Sequence, residues 1–263
     1  MSRLSATFER LRSERRPGLV TYVTSGDPDL ARSPDVIRAL DRAGADVIEI
    51  GVPFSDPIAD GPAIQRASER ALAAGATIET TIEMVGQLRS SIAAPFVLFT
   101  YVNPVLSLGL NAFVDRAAHA GVDGVLLLDL PIEEAGDAKR ALDRRGLDLI
   151  FLVSPTTTDE RLEAASQLGR GFLYAISRLG VTGARSSVAV SAQPLVERIR
   201  RFSRLPIALG FGIARREHVV EVGRYADAAV VGSAIVQTIA DATAAGGDVP
   251  REVERFVRDL KGL

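Results

Sequence analysis

The chain has 263 residues, 47% of them hydrophobic and 24% charged, which suits a single α/β barrel with a large core. Its net charge of −2, with acids and bases interleaved, excludes the basic stripe that nucleic acid demands, and no apolar run is long enough to span a bilayer. Without Cys there is no disulfide framework, no thiolate nucleophile and no Cys-held metal.

From the N-terminus, Ser2-Arg3-Leu4-Ser5 begins no apolar signal segment, so a cytoplasmic location is expected. Leu4–Arg15 has the pattern of a helix ahead of the first strand, a plug for the bottom of a barrel. Short apolar runs follow at Leu19–Val23, Val47–Ile50, Phe96–Thr100, Gly124–Leu128, Asp148–Val153, Phe172–Ile176, Pro206–Leu209 and Ala228–Val231. Most are continuous enough for parallel strands buried on both faces, and amphipathic helical stretches separate them as in βαβ units. Ser33-Pro34 reads as the N-cap and first-turn proline of one helix, and Thr158 or Asp159 starts another. Gly44, Gly75, Gly121 and Gly146 stand where helices end in a left-handed residue. Strand starts are about 22 to 34 residues apart, except for roughly 49 between the second and third, which leaves room for Ala63–Ala74 and Thr77–Ser91 as two helices. Val249–Lys261 is the closing helix. The pattern predicts a (β/α)8 TIM barrel with extra helices before strand 1 and between strands 2 and 3, in one domain over 1–263. A doubly wound open sheet is the alternative, but no Gly-x-Gly-x-x-Gly follows the first strand.

Counting the rare residues narrows the chemistry. The lysines are Lys139 and Lys261 and the histidines His119 and His218, none at the end of a predicted strand. A Schiff base and a His-centred metal site are therefore not expected, and acid–base work falls to Asp, Glu or Tyr. The second strand carries Glu49 where Val or Ile is the bland choice, and then breaks into Gly51-Val52-Pro53-Phe54-Ser55-Asp56-Pro57-Ile58-Ala59-Asp60-Gly61-Pro62. Two carboxylates, Glu49 and Asp60, thus converge on the mouth of one βα unit. The structural alternative pairs Glu49 with a cation inside the barrel and spends Asp60 on a helix cap.

Gly210-Phe211-Gly212-Ile213 after the seventh strand and Gly232-Ser233-Ala234 after the eighth lie where barrels present backbone N–H groups and a helix N-terminus to phosphate. Arg178–Ala184, after the sixth strand, reads either as a lid, with Thr182 and Gly183 reaching the ligand, or as a surface loop. Tyr174, within the sixth strand, either points into the barrel mouth or satisfies a core partner. Tyr22, Tyr101 with Asn103-Pro104, and Asp129-Leu130-Pro131 are further strand-end candidates; Asp27-Pro28 and Asp46 read equally as turn and capping groups.

Over nearly its whole length the chain resembles the tryptophan synthase alpha chain family. The resemblance is carried by Tyr22–Pro28, Ala43–Gly51, the loop Val52–Pro62, Tyr174, Ser177-Arg178, Gly180–Gly183, Gly210–Ile213 and Gly232–Ile235. It implies a lyase without metal or organic cofactor that splits indole-3-glycerol phosphate into indole and glyceraldehyde 3-phosphate by a retro-aldol reaction. It further implies Glu49 as proton shuttle and Asp60 as acceptor of the indole N–H, oriented by Thr182 when the lid closes. Gly183, Gly212, Gly232 and Ser233 would hold phosphate, and Ile64, Phe99, Leu126 and Phe211 would sandwich the indole beside Tyr22 and Tyr174. The implied partner is a β subunit, joined in an αββα complex through Asp56-Pro57, Asn103-Pro104 and Pro131, which carries the pyridoxal phosphate and receives indole through a tunnel. The segment Arg185–Val190 continues the lid as a variable portion of the family loop.

Other phosphate-handling barrels fit less well, since they rely on a Cys/Asp pair, on lysines or on His-bound metal. A stand-alone lyase releasing free indole shares every site residue and differs in needing no partner. A catalytically idle subunit that binds ligand and activates its partner is argued against by the presence of both carboxylates.

Overall fold

A computed structural model describes residues 2–176, 192–210 and 212–263. In chain order the elements are α1 (Arg3–Ser13), β1 (Gly18–Thr24), α2 (Ser33–Arg42), β2 (Val47–Gly51), α3 (Pro62–Ala73), α4 (Ile78–Leu88) and β3 (Phe96–Thr100). Next come α5 (Val102–Leu108), α6 (Leu110–Ala120), β4 (Gly124–Leu127), α7 (Gly136–Arg144), β5 (Asp148–Val153), α8 (Asp159–Leu168) and β6 (Leu173–Ile176). The last are α9 (Ala192–Phe202), β7 (Ile207–Gly210), α10 (Arg216–Val222), β8 (Ala228–Val231), α11 (Ser233–Ala244) and α12 (Val249–Lys261).

All eight strands pair in parallel with their chain neighbours, and β8 pairs with β1 from Gly18↔Ala228 to Thr21↔Val231. That last pairing closes the barrel and removes the open-sheet alternative. Strand alternation then sorts the side chains into two cores. Ile48, Ile50, Leu98 and Val125 pack outward beneath the helices, while Val20, Val47, Val97, Ile150 and Ala228 fill the interior. Helix α1 plugs the bottom as expected: Leu4, Phe8 and Leu11 belong to the interior core, with Phe8 5.5 Å from the Phe172 ring. Glycine at strand starts makes room for the plug, since a Cβ at Gly18 would lie 2.7 Å from Leu11 and one at Gly124 2.9 Å from Leu4.

Carboxylates at the bottom tie neighbouring strands together. Asp46 accepts from Leu19 N–H at 3.0 Å, Asp123 from Phe96 N–H at 2.8 Å and Asp227 from Ile207 N–H at 2.7 Å. Asp46 also takes a two-pronged bond from Arg16, at 2.9 and 3.0 Å, and an ion pair from Lys261 of α12 at 3.1 Å. Burial works against its charge, yet Arg16 and Lys261 hold its carboxyl below the usual value. Asp46, read from the sequence as a turn or capping group, instead anchors β1 and gathers two cations.

Three local expectations need correction. Ser33 is not an N-cap: it is the first residue of α2, and Arg32 holds the cap position. Asp29 accepts from Ala31 and Arg32 N–H just ahead, and the Ser33 hydroxyl accepts from Gly26 N–H at 3.1 Å, bracing the β1–α2 turn. Asp27 is a buried ion-pair partner, held by Arg70 of α3 at 2.8 and 3.0 Å. Asn103-Pro104 lies within the short helix α5, not in a loop; proline is tolerated there because the first turn of a helix has no partner for its N–H.

Asp46→Asn should leave Arg16 and Lys261 facing a neutral amide at a nearly dry site. A loss of about 2 to 4 kcal/mol is expected in urea unfolding, less than for a fully buried pair because Arg16 is partly exposed.

Candidate active site

Period-two alternation places Glu49 on the same face of β2 as Val47, pointing into the barrel. Its register partners are Tyr22 of β1 and Val97 of β3. Phe99 lies opposite Gly51 and Leu126, and Tyr174 opposite Ala208. Tyr22, Phe99 and Leu126 therefore share one interior cluster, against which Ile64 of α3 and Tyr174 also pack. The Tyr22 and Phe99 rings meet edge-on at 5.3 Å, and Phe99 lies 6.5 Å from Tyr174. This answers the question left open for Tyr174: its ring lines the interior. The close fit needs glycine on the neighbouring strands, because a Cβ at Gly51 would fall 2.1 Å from the Tyr22 hydroxyl and one at Gly210 2.8 Å from that of Tyr174.

Glu49 is 0% exposed, and neither carboxyl oxygen has a hydrogen-bond partner among the described residues. Among the described residues the ion-paired alternative finds no cation. Burial with nothing to offset it pushes its pKa to about 8, so the group holds its proton at neutral pH. Asp60 sits at the end of the loop between β2 and α3, and it does not cap the helix, since Gly61 occupies that position. Its carboxyl accepts from the Tyr101 hydroxyl at 3.1 Å, while the Gln65 amide donates to its backbone carbonyl at 3.0 Å and to that of Pro57 at 3.3 Å. Burial raises Asp60 to about 6, and the Tyr101 hydrogen bond opposes that rise. The Tyr22 and Tyr174 phenols register both carboxylates: burial first, then the charges of Asp60 and Glu49, push each well above the ordinary tyrosine value. Two carboxyl groups near one aromatic interior are thus set apart in acidity by their surroundings.

On the other flank of β1, β8 runs through Gly232 into α11. The first intrahelical bond is Val236 N–H to Gly232 C=O, so the N–H groups of Ser233, Ala234 and Ile235 have no partner within the helix. A Cβ on Gly232 would lie 3.3 Å from Tyr22, which puts this helix start against the aromatic pocket. Gly212, beyond β7, adopts φ +45°, a conformation that glycine takes without strain. Thr182, Gly183 and Phe211 lie outside the described residues, as does the whole segment 177–191. Among the described residues no group of three His, Cys, Asp or Glu side chains could hold a metal ion.

Sequence reasoning had no way to assign Gln65 and left Tyr101 without a role. Tyr101 stood out as a polar ring at a strand end; Gln65 gave no signal, being an ordinary polar residue on the first turns of a helix. Two carboxyl groups of different acidity at such a mouth are suited to proton transfer, and the fold is that of the (β/α)8 barrel enzymes.

The family model for the tryptophan synthase alpha chain matches residues 8–262. The tryptophan synthase alpha chain of Solibacter usitatus is 46% identical over 261 residues, covering 99% of this chain and 97% of that one. That of Geobacter sulfurreducens is 48% identical, at 99% and 98% coverage. Among solved structures, the alpha subunit from Legionella pneumophila superposes with a TM-score of 0.90 at 36% identity, covering 100% of this chain and 98% of that one. Tryptophan synthase from Mycobacterium tuberculosis gives 0.91 at 38% identity, with 99% and 97% covered. The chain belongs to the tryptophan synthase alpha chain family. It is a lyase of tryptophan biosynthesis, and its reaction is the cleavage of indole-3-glycerol phosphate.

The raised pKa of Glu49 has a consequence for stability. The unfolded chain ionises this group near 4.5, the folded one near 8, so the folded state binds more protons in between and loses stability as pH rises through that window. Glu49→Gln removes the effect. Relative to wild type, the variant should gain stability steadily between these two values, by up to roughly 4 kcal/mol, in denaturant titrations repeated across pH.

Proposed function

We propose that Glu49 and Asp60 divide the reaction between them. Splitting the bond from the indole ring to the glycerol phosphate chain needs a proton delivered to the ring carbon at that bond. It also needs a proton removed from the side-chain hydroxyl that becomes the aldehyde. Glu49, protonated at neutral pH by its burial, gives the first proton and in its ionised form takes the second, so it ends as it began. Asp60, lower in pKa and largely ionised at neutral pH, accepts the indole N–H and stabilises the positive charge that grows on the ring. The single observation that carries this reading is the pairing of an unpartnered, protonated carboxyl with a more acidic one near the same aromatic interior.

The indole lies among Tyr22, Ile64, Phe99, Leu126 and Tyr174, joined by Phe211, and the phosphate rests on the N–H groups around Gly212, Gly232 and Ser233, joined by Gly183. Thr182 orients Asp60 in the closed state. No organic cofactor is held by this chain; pyridoxal phosphate belongs to the β subunit of tryptophan synthase. That subunit is the partner, in an αββα assembly that passes indole onward through a tunnel. Support for the docking face comes from Ile58, 87% exposed, and Leu106, 62% exposed, both large apolar side chains beside the barrel mouth. We further read the chain as one domain acting in the cytoplasm. Among the described residues no helix is long and apolar enough to cross a membrane.

Indole release from indole-3-glycerol phosphate by the purified chain, with and without β subunit, tests the assignment. Wild type should turn over slowly alone and much faster with the β subunit, and Glu49→Gln should lose at least about a hundredfold in both conditions. Turnover indifferent to the β subunit would fit a stand-alone lyase; a Glu49→Gln variant as active as wild type would remove the proton shuttle.

A further inference from the structure

We propose that Tyr101 is a positioning residue through which the docking face of the barrel sets the Asp60 carboxyl, an inference that rests on the reading of Asp60 given above. Tyr101 ends the run out of β3 and occupies the N-cap position of α5. Its hydroxyl is used twice: it accepts from the Ala59 N–H at 3.1 Å and donates to Asp60 Oδ2 at 3.1 Å. One phenol thus fixes both the backbone and the carboxyl of the turn that leads into α3. The ring is buried and tilts against Phe54 at 5.2 Å between centroids. The helix it caps is fixed in turn, because Val102 N–H donates to Asp129 Oδ1 at 2.7 Å.

The outer side of this same assembly carries the exposed apolar residues. Ile58 adjoins Ala59 in sequence, and Leu106 lies on α5, which Tyr101 caps. Between the loop and α5 runs a groove of about 250 Å³ lined in part by Pro53, Phe54, Pro104 and Leu108. A protein seated on Ile58 and Leu106 grips both elements that meet at the Tyr101 hydroxyl without touching the carboxyl. Both contacts are present in the chain alone, and a partner that clamps the loop against α5 would tighten them, holding the Ala59 N–H on a phenol lone pair and the O–H toward Asp60. The β subunit is the occupant to which this commits.

A hydroxyl that donates to a carboxylate favours its charged form, so the contact counters the burial that raises Asp60. The titratable groups whose surroundings include Asp60 are Tyr22 of β1, Tyr174 of β6 and Tyr101 itself, with Glu49 of β2 acting on the same two interior phenols.

Tyr101→Phe keeps the ring against Phe54 and deletes the hydroxyl. Wild type and variant are compared free and saturated with β subunit, by indole release as a function of pH, by thermal unfolding, and by calorimetric titration with the β subunit. The acid limb of kcat/KM for the free variant should move up by about one pH unit. Most of the stimulation by the β subunit should be lost while its affinity stays the same. In wild type, docking should move the acid limb down, a result that needs no variant and stands even if Tyr101→Phe folds poorly. An acid limb unmoved by docking, or a folded variant with full stimulation and the wild-type limb, overturns the proposal. Wild type that releases no indole in either state would instead fell the reading of Asp60 on which the proposal depends.

Discussion

A carboxyl group closed inside the barrel with no partner costs the fold free energy, and the rest of the structure is arranged to keep it there. Glu49 sits on β2, which is paired on both sides, by β1 and β3. Its strand neighbours Ile48 and Ile50 are sunk in the outer core, so the strand cannot rotate to release the side chain without exposing both. The carboxyl is fully buried inside the closed barrel, and that burial is what keeps it protonated at neutral pH. Glu49 and Asp60 are held differently from the carboxylates at the bottom of the barrel. At the bottom Asp46, Asp123 and Asp227 each accept from a strand N–H and face basic side chains. At the mouth Glu49 has no partner among the described residues, and Asp60 accepts a single phenol.

Much of this was legible before any coordinates. Parallel strands buried on both faces leave near-continuous apolar runs, and Phe96–Thr100, Asp148–Val153 and Ala228–Val231 match the observed limits to the residue. The remaining strand ends moved by a residue or so, because the last ladder bond depends on the neighbouring strand and not on the run itself. Glu49 was legible for a related reason: an acid within a β-branched run has either a partner or a purpose. What could not be read was anything that needed two distant segments to meet. The Asp27–Arg70 pair spans 43 residues and the Tyr101–Asp60 contact 41. Helix α5 hid in Val102–Leu108, a stretch too short for a periodic signal and interrupted by proline.

The aromatic interior shows how strand register limits what the pocket can be. Tyr22 and Tyr174 reach across their neighbours because Gly51 and Gly210 offer no side chain in the way. Each phenol is pressed above its ordinary acidity constant by burial and by the nearby carboxylates, so both remain neutral and serve as walls and dipoles instead of bases. In the proposed reaction the acid–base duty falls to the two carboxyl groups, while the buried His218 is engaged by the Ala214 N–H of the loop after β7. Tyr22 also backs onto Gly232 at the start of α11. A ligand with an aromatic end and an anionic end therefore finds both walls within the span of one tyrosine.

The two carboxyl groups differ in how they are held, and the difference suits the tasks proposed for them. Glu49 belongs to a strand fixed on both edges, so its environment changes little unless the barrel itself deforms. Asp60 belongs to a loop held by Tyr101 from one side and by Gln65 from the other, each through a hydrogen bond that a small shift of the loop would lengthen. A proton donor needs a constant, dry surrounding to keep its pKa high; a group that stabilises a passing charge gains from being adjustable, since its work is needed only while the charge exists. With the first on the sheet and the second on the loop, the proposed coupling through Tyr101 would act on one without disturbing the other. An outside surface can act on the second, because the residues flanking it, Ile58 and those of α5, are the ones that face solvent.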